Sequence, residues 1–311
     1  MKFLKERNEE EISLKYFYEI LQTLKLDSVG GDHKRRWISE YSKIKIKAPD
    51  FIEQTHIAEI LSTADETIAY TEALIAKYQR IKTGLMQDLL TRGIDENGNI
   101  RSKETHKFIH SGFRNVFIPE KWINATFKNI TKCKQGLQIP IEKRFKEEGV
   151  GRLPYITVQA INSRFKNPEF IQNANIGVIC NVEDILFTRT GNTGEIITGI
   201  EGVFHNNFFR LDYNRELIEK EYLITFLKWQ PIQNLIKDLA GTTTIPDLNH
   251  KDFFTIPIFF PKDKNEQGRI IEKITGIQNY INTIENNLKK LQSLKTGLMQ
   301  DLLSGKVRVK I

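Results

Sequence analysis

The run KTGLMQDLL occurs twice, at Lys82–Leu90 and again at Lys295–Leu303, 213 positions later. Chance does not repeat nine residues in this way, so the chain is built from duplicated units. Duplication limits the fold more than any other feature here. The two copies flank a long middle segment, so they must act as matching struts around one globular body. That arrangement suits a protein that spans or measures something better than one that turns over a small molecule.

Apolar residues lead into each copy with a heptad spacing. The first stripe is Ile57, Leu61, Ala64, Ile68, Ile75, Tyr78, Leu85 and Leu89, with Thr71 and Lys82 as polar members. The second is Ile270, Ile274, Ile277, Ile281, Ile284, Leu288, Leu291, Leu298 and Leu302. A period near 3.5 with charged flanks predicts two long helices, 51–92 and 264–304, each burying a narrow seam. Roughly 37 residues at about 1.5 Å per residue give each a length of roughly 55 Å. Each is expected to stop at a glycine, Gly93 or Gly305. Each follows a proline, Pro49 or Pro261, and shares a glutamine, Gln54 or Gln267.

A helix with one apolar stripe is not stable alone in water. The two copies are therefore expected to pack antiparallel, through Ile57, Leu61, Ile68, Ile75, Tyr78 and Leu85 on one helix. The other contributes Ile270, Ile274, Ile281, Leu288, Leu291 and Leu298. The alternative is that each helix packs only on its neighbouring domain. Gly84 and Gly297 sit inside the helices at a cost of about 1 kcal/mol each. Close approach of another backbone, or a mild kink, would account for them.

Between the helices the pattern changes. Short β-like runs appear at 155–158, 177–180, 184–188, 195–198 and 207–211, separated by Gly, Asn and Pro. One amphipathic helix is expected over 219–239 and a closing strand over 255–260. This predicts an α+β domain over 113–262, reached through a polar linker at 93–112 and followed by a tail at 305–311. The first 50 residues read as the last third of a second copy of that domain. Asn8–Leu21 parallels Asn214–Leu227, with Tyr16 matching Tyr222; Ile44, Ile46 and Pro49 parallel Ile256, Ile258 and Pro261. The first two thirds of that copy are missing.

Forty per cent apolar residues suffice for a core. Cys133 and Cys180 are far apart and read as reduced thiols of a cytosolic protein. The Lys- and Glu-rich start is no signal peptide, and no apolar run reaches the ~18 residues a bilayer span needs. The net charge is +7. Residues 114–166 hold eleven Lys and Arg against four Glu, whereas 167–252 hold seven against twelve acids. A local cationic surplus points to a polyanion, most often nucleic acid.

Reading a duplex needs cations for phosphates and amide or guanidinium forks for base edges. The cationic third offers Lys132, Lys134, Gln135, Lys143, Arg144, Arg152, Gln159, Asn162, Arg164 and Lys166. Gln135, Gln159, Asn162 and Arg189 are the expected base readers. The loop Arg189–Gly194 brings Asn192 and Thr193 between two glycines and is not a P-loop, since GxxxxGK[ST] is absent. Thr242, Thr243 and Asn249 form a second candidate loop.

Catalytic patterns do not emerge. Six histidines (His33, His56, His106, His110, His205, His250) give no HExxH, and His106 and His110 fall in the linker. GxSxG, GxGxxG and the adenine-methyltransferase [DN]PP[YF] are absent. No active site, cofactor or metal is expected.

The ordered set Trp122, Tyr155-Ile156-Thr157-Val158, Asp184-Ile185-Leu186, Arg189–Gly194, Gly241–Thr244, Ile256-Pro257-Ile258 and Pro261-x5-Gln267-x2-Ile270 resembles the specificity subunit of type I restriction-modification systems. The KTGLMQDLL ends are similar to that family's spacer helices. The resemblance implies a cytoplasmic, non-catalytic subunit, bacterial or archaeal. It implies double-stranded DNA, methyltransferase subunits and restriction/translocase subunits as partners. Two recognition domains in that family each read half of a split site, and the helices set their separation. With one domain reduced to a stub, a second copy of the chain or another specificity half would supply the rest. A coiled-coil scaffold whose central domain binds protein is the competing interpretation.

Overall fold

Two helices of 41 and 40 residues, Phe51–Thr91 and Lys264–Leu303, carry the repeated run at their C-terminal ends. The computed structural model describes residues 12–24, 44–241 and 246–309. It divides into two compact units, Met1–Ile81 with Ile277–Ile311, and Lys82–Gly276.

The chain runs α1 (Leu14–Thr23), α2 (Phe51–Thr91), β1 (Phe108–His110), β2 (Phe117–Pro119), β3 (Ile123–Thr126), α3 (Phe127–Ile130) and β4 (Thr131–Gln135). It continues with β5 (Arg152–Ile156), α4 (Val158–Asn162), β6 (Phe170–Gln172), β7 (Ile179–Cys180), β8 (Leu186–Thr188), β9 (Ile196–Ile197) and β10 (Gly202–Phe204). The last elements are β11 (Phe208–Tyr213), α5 (Lys220–Leu227), α6 (Gln230–Ala240), α7 (His250–Thr255), β12 (Pro257–Phe260) and α8 (Lys264–Leu303).

In the first unit, α2 and α8 pair antiparallel. Numbers rise along one helix as they fall along the other: Glu53 holds Arg308, Asp65 holds Lys295 at 2.6 Å, and Tyr78 meets Tyr280 edge-on at 4.7 Å between ring centroids. Ile57, Ala58 and Leu61 form a cluster with Leu302, flanked by Leu298. Ile75 packs with Ile281 and Ile284, flanked by Tyr78, Ile277 and Leu288. Ile68 and Leu291, which fall between these clusters in sequence, are half-buried. An added Cβ at Gly84 or Gly297 would meet nothing within 4 Å, so no backbone approaches either one. Nothing in the structure explains the two glycines.

Helix α1 lays Tyr16 and Ile20 on the Ile57–Leu61–Leu302 cluster. Its N-cap Ser13 donates its backbone N–H to the Gln54 side chain at 3.0 Å, and that amide donates to the Pro49 carbonyl at 2.9 Å. The second unit repeats the fastening. Glu219, the N-cap of α5, donates its N–H to Gln267 at 2.8 Å, and Gln267 donates to the Pro261 carbonyl at 2.8 Å. Buried Glu53 and Glu266 also match: each carboxylate holds an arginine, Arg308 or Arg101, and a backbone N–H, of Val309 or Ile94. Each long helix is thus pinned at its first turn, where a carboxylate also suits the helix dipole.

The second unit contains two four-stranded sheets, β6-β5-β10-β7 and β4-β11-β8-β9, and two strand pairs, β1-β2 and β12-β3. Among the described strands only β5 and β10 run parallel, with Val203 opposite Tyr155. The main core gathers Phe127, Phe187, Phe209, Tyr222, Phe226, Phe253 and Phe259, together with Leu89, Leu90 and Ile270 of the long helices.

The structure departs from the sequence expectation in several places, three of which shape the domain most. The expected single helix over 219–239 is broken at Lys228–Trp229, because Pro231 starts a new helix at its first turn. Val158 opens α4 rather than extending a strand, because Thr157 caps the helix by accepting from the Ala160 N–H. The 93–112 segment is more than a linker: Ile94 is fully buried, and Arg101 ties the segment to Glu266.

Gly136 faces the Phe204 and His205 carbonyls so closely that a Cβ would collide with backbone. Gly136→Ala is therefore expected to destabilise the second unit by about 1–3 kcal/mol, as an overpacked core does. Urea unfolding followed by tryptophan fluorescence checks this; an unchanged midpoint would show that the strand can shift without cost.

Candidate nucleic-acid interface

The cationic third of the second unit folds into β4, a short 3-10 turn at Ile141–Lys143, β5 and α4. Strand β4 pairs with β11, and its alternation buries Thr131 while Lys132, Lys134 and Gln135 are exposed. Lys132, Lys143, Arg164 and Lys166 are exposed and make no ion pair among the described residues. Gln159 and Asn162 are exposed on α4. Lys134 meets Asp212 at 3.3 Å across two half-exposed side chains, a pair water screens to little energy. Lys146, absent from the sequence expectation, is exposed in the same stretch. It is one of the eleven cations of 114–166, and Glu147 and Glu148 follow it directly.

Other expected site residues are engaged within the fold. Arg144 donates to the Ile139 carbonyl at 2.7 Å and to Glu169 at 2.9 Å, and lies over the Tyr155 ring. Arg152 stacks on Phe145 with 3.7 Å to the ring centroid and donates to the Glu147 carbonyl. Gln135 donates to the Asn206 carbonyl at 3.3 Å. Arg189 is held by Asp247 at 2.7 Å and by the Leu248 carbonyl at 3.2 Å, with its side chain largely covered. That leaves its guanidinium fork fastening a loop rather than facing outward.

The fastened loop is Arg189–Gly194, in which both glycines take positive φ, 87° and 97°. The Thr193 hydroxyl donates to the Arg189 and Pro246 carbonyls, and Thr190 holds Asp247. The two candidate loops are thereby joined. Asn192 stays exposed, while Asn249 caps α7 by accepting from the Asp252 N–H at 2.9 Å. A cleft of about 520 Å³ lies beside the joined loops, lined by Asn192, Thr193, Gln233 and Lys237 among others. Thr242 and Thr243 lie outside the described residues.

The histidines and cysteines nearby add no charge. Burial, then Arg144, holds His205 below the usual imidazole range, and its Nδ1 accepts from the Asn207 N–H. Burial, then Arg189, lowers His250 in the same direction. Both are neutral at pH 7 and leave phosphate pairing to Lys and Arg. Burial pushes the Cys133 thiol up to about 12 and the Cys180 thiol up to about 11, so neither is a nucleophile at neutral pH. Among the described residues no group of three His, Cys, Asp or Glu could hold a metal ion, and no helix is long and apolar enough to cross a membrane.

The second unit thus carries a stretch of exposed cations and amides. The type I restriction modification DNA specificity domain model matches residues 119–296, and the chain belongs to that family. It is 24% identical over 314 residues to a putative type I restriction enzyme MjaX specificity subunit of Methanocaldococcus jannaschii, covering 97% of this chain and 70% of the relative. It is 24% identical over 288 residues to the MjaVIII specificity subunit of the same organism, covering 87% of this chain and 64% of the relative. An 81-residue stretch is 40% identical to the EcoR124I/EcoR124II specificity subunit of Escherichia coli; it is 25% of this chain and 20% of that subunit.

The fold is similar to that of the HsdS subunit from Thermoanaerobacter tengcongensis, with a TM-score of 0.53 at 18% identity over 84% of this chain and 60% of that one. A chain from a structural study of type I R-M complex assembly aligns at a TM-score of 0.57 with 14% identity, over 95% of this chain and 72% of that one.

Proposed function

We propose that this chain is a non-catalytic DNA-reading subunit of a type I restriction-modification complex. Its complete domain, 113–262, reads one half of a split site. The paired helices hold methyltransferase and restriction subunits at that site. The observation that carries this reading is the run of exposed cations and amides, Lys132 to Lys166, inside the segment that matches the specificity-domain family. A protein-binding scaffold would need the helices but would leave that surface without a role.

Lys132, Lys134, Lys143, Lys146, Arg164 and Lys166 hold phosphates and set the duplex on the domain. Gln159, Asn162 and Asn192 are the base readers, since amides match adenine edges in the major groove. Arg144, Arg152 and Arg189 hold the scaffold on which these groups stand.

Gel shifts with the whole chain test the sorting. Lys143→Ala is expected to weaken all duplexes alike and to reduce the salt slope by about 1. Gln159→Ala is expected to cost about 1–3 kcal/mol on the cognate duplex and to relax choice at one base. Identical behaviour of the two variants would refute the division between positioning and reading. The same protein, given S-adenosylmethionine and DNA without partners, is expected to transfer no methyl group.

A further inference from the structure

One end of the antiparallel β5–β6 pair presents side chains that the fold itself does not use. The loop ahead of β5 is held firmly. Phe145 and Phe170 exchange backbone hydrogen bonds at 2.9 and 2.8 Å. Arg152 stacks on the Phe145 ring and donates to the Glu147 carbonyl at 3.0 Å. The loop ends in a tip, Gly149-Val150-Gly151, where Gly151 takes a φ of 73° and Val150 is 97% exposed. The end of β6 lies beside this tip. Arg152 stands opposite Gln172, and the Asn173 N–H donates to the Gly151 carbonyl at 3.4 Å. Gln172 and Asn173 are exposed, and their side-chain amides hold no partner among the described residues. Asn175 accepts from the Gly177 N–H at 2.8 Å, and Ile176, which follows it, is 85% exposed. Val150 and Ile176, almost wholly in water, add nothing to the core.

We propose that Val150, Gln172, Asn173 and Ile176 form a further base-reading edge, which selects A·T pairs in the major groove of duplex DNA. An A·T pair presents there the adenine N7 acceptor and N6–H donor together with the thymine C5-methyl. Side-chain amides match the first two, and apolar tips match the methyl. Glu147 and Glu148 stand just before the tip and are exposed. They repel phosphate, so this edge contributes choice rather than affinity. Helix α4, with Gln159 and Asn162, follows the opposite end of β5, and that strand's five residues span about 16 Å. The two groups therefore meet different base pairs of one duplex. A protein partner fits less well. Contacts between proteins favour aromatic, Met and Arg side chains at their centre, and the tip and the 172–176 segment contain none. The edge rests on the reading of this unit as a DNA-recognition domain and adds to it the pairs selected.

The test uses the full chain and the duplex it selects from a randomised pool. Each thymine of that duplex is replaced singly by deoxyuridine, which lacks only the C5-methyl. Fluorescence anisotropy is expected to show about fourfold weaker binding for at least one replacement, the worth of one buried methyl-sized group. Val150→Ser combined with Ile176→Ser is expected to bind the thymine and uracil duplexes alike. Gln172→Ala is expected to lose about tenfold of the preference for adenine at one pair. Both variants should keep the parent's salt slope. Val150 and Ile176 already lie in water, so the double variant should melt like the parent.

Indifference to uracil at every position, or a sensitivity that survives in the double variant, overturns the proposal. A double variant that binds every duplex more weakly, with a shallower salt slope, overturns it in favour of phosphate contact. Loss of methyltransferase-subunit binding with unchanged choice of DNA overturns it in favour of a protein partner. A pool that yields no preferred duplex sinks DNA reading and this edge together. A preferred duplex that tolerates uracil throughout sinks the edge alone, so the two failures leave different signatures.

Discussion

Raising the salt from about 50 to about 200 mM is expected to lower the affinity for duplex DNA by about 10³-fold. Lys132, Lys134, Lys143, Lys146, Arg164 and Lys166 are all exposed. If these six meet phosphates, each releases a condensed counterion, and the slope of log affinity against log salt approaches about −5. Arg144, Arg152 and Arg189 are left out of this sum because carbonyls, carboxylates and rings already hold them. His205 and His250 are left out because burial keeps them neutral. Fluorescence anisotropy with one duplex at four or more salt concentrations measures the slope. A slope shallower than about −2 would remove the phosphate role from this surface, whatever the protein's sequence preference.

Phe253→Ala is expected to cost the second unit about 3–5 kcal/mol, the range for emptying a fully buried aromatic site. Phe253 has no solvent exposure, and its ring meets Phe127 at 5.0 Å, Phe187 at 5.1 Å and Phe209 at 5.9 Å, all edge-on. These neighbours come from α3, β8 and β11, so a single ring joins three elements that are distant in sequence. Edge-on ring pairs add about 0.5–1.5 kcal/mol beyond the area they bury. Guanidinium unfolding measures the loss, and DNA binding should fall with the folded fraction. Phe253→Leu, which restores most of the volume, should recover much of the stability. A cost below about 1 kcal/mol for the alanine variant would mean that the surrounding rings collapse into the space.

The helix pair was open to sequence reasoning because its signal is local and periodic. Ile57, Leu61, Ile75, Ile281 and Leu298 are apolar at heptad spacing, and a long amphipathic stripe has few other ways to be buried. The break between α5 and α6 was legible in principle, since Pro231 stands inside the expected helix. The sheet was harder. Strands β3, β4, β6 and β10 are short, and their partners lie up to 137 residues away, as Ile123 pairs with Phe260 across β3–β12. Short strands carry little periodicity, and pairing at that range depends on the whole fold. For the candidate interface, composition pointed to the right stretch of chain but could not sort its arginines. A sequence lists Arg144, Arg152 and Arg189 as cations like any other; only placement beside Glu169, Phe145 and Asp247 reveals them as structural fasteners.

The amino-acid sequence by itself determined the duplication, the two antiparallel helices and the cationic character of residues 114–166. These are properties of residue type and spacing along the chain, and burial of an apolar stripe follows from them directly. The tertiary structure alone decided which cations stay free and which are held within the fold. Charge availability and strand pairing are settled by neighbours brought together from distant positions, and a side chain's partners in space are not written in its local sequence.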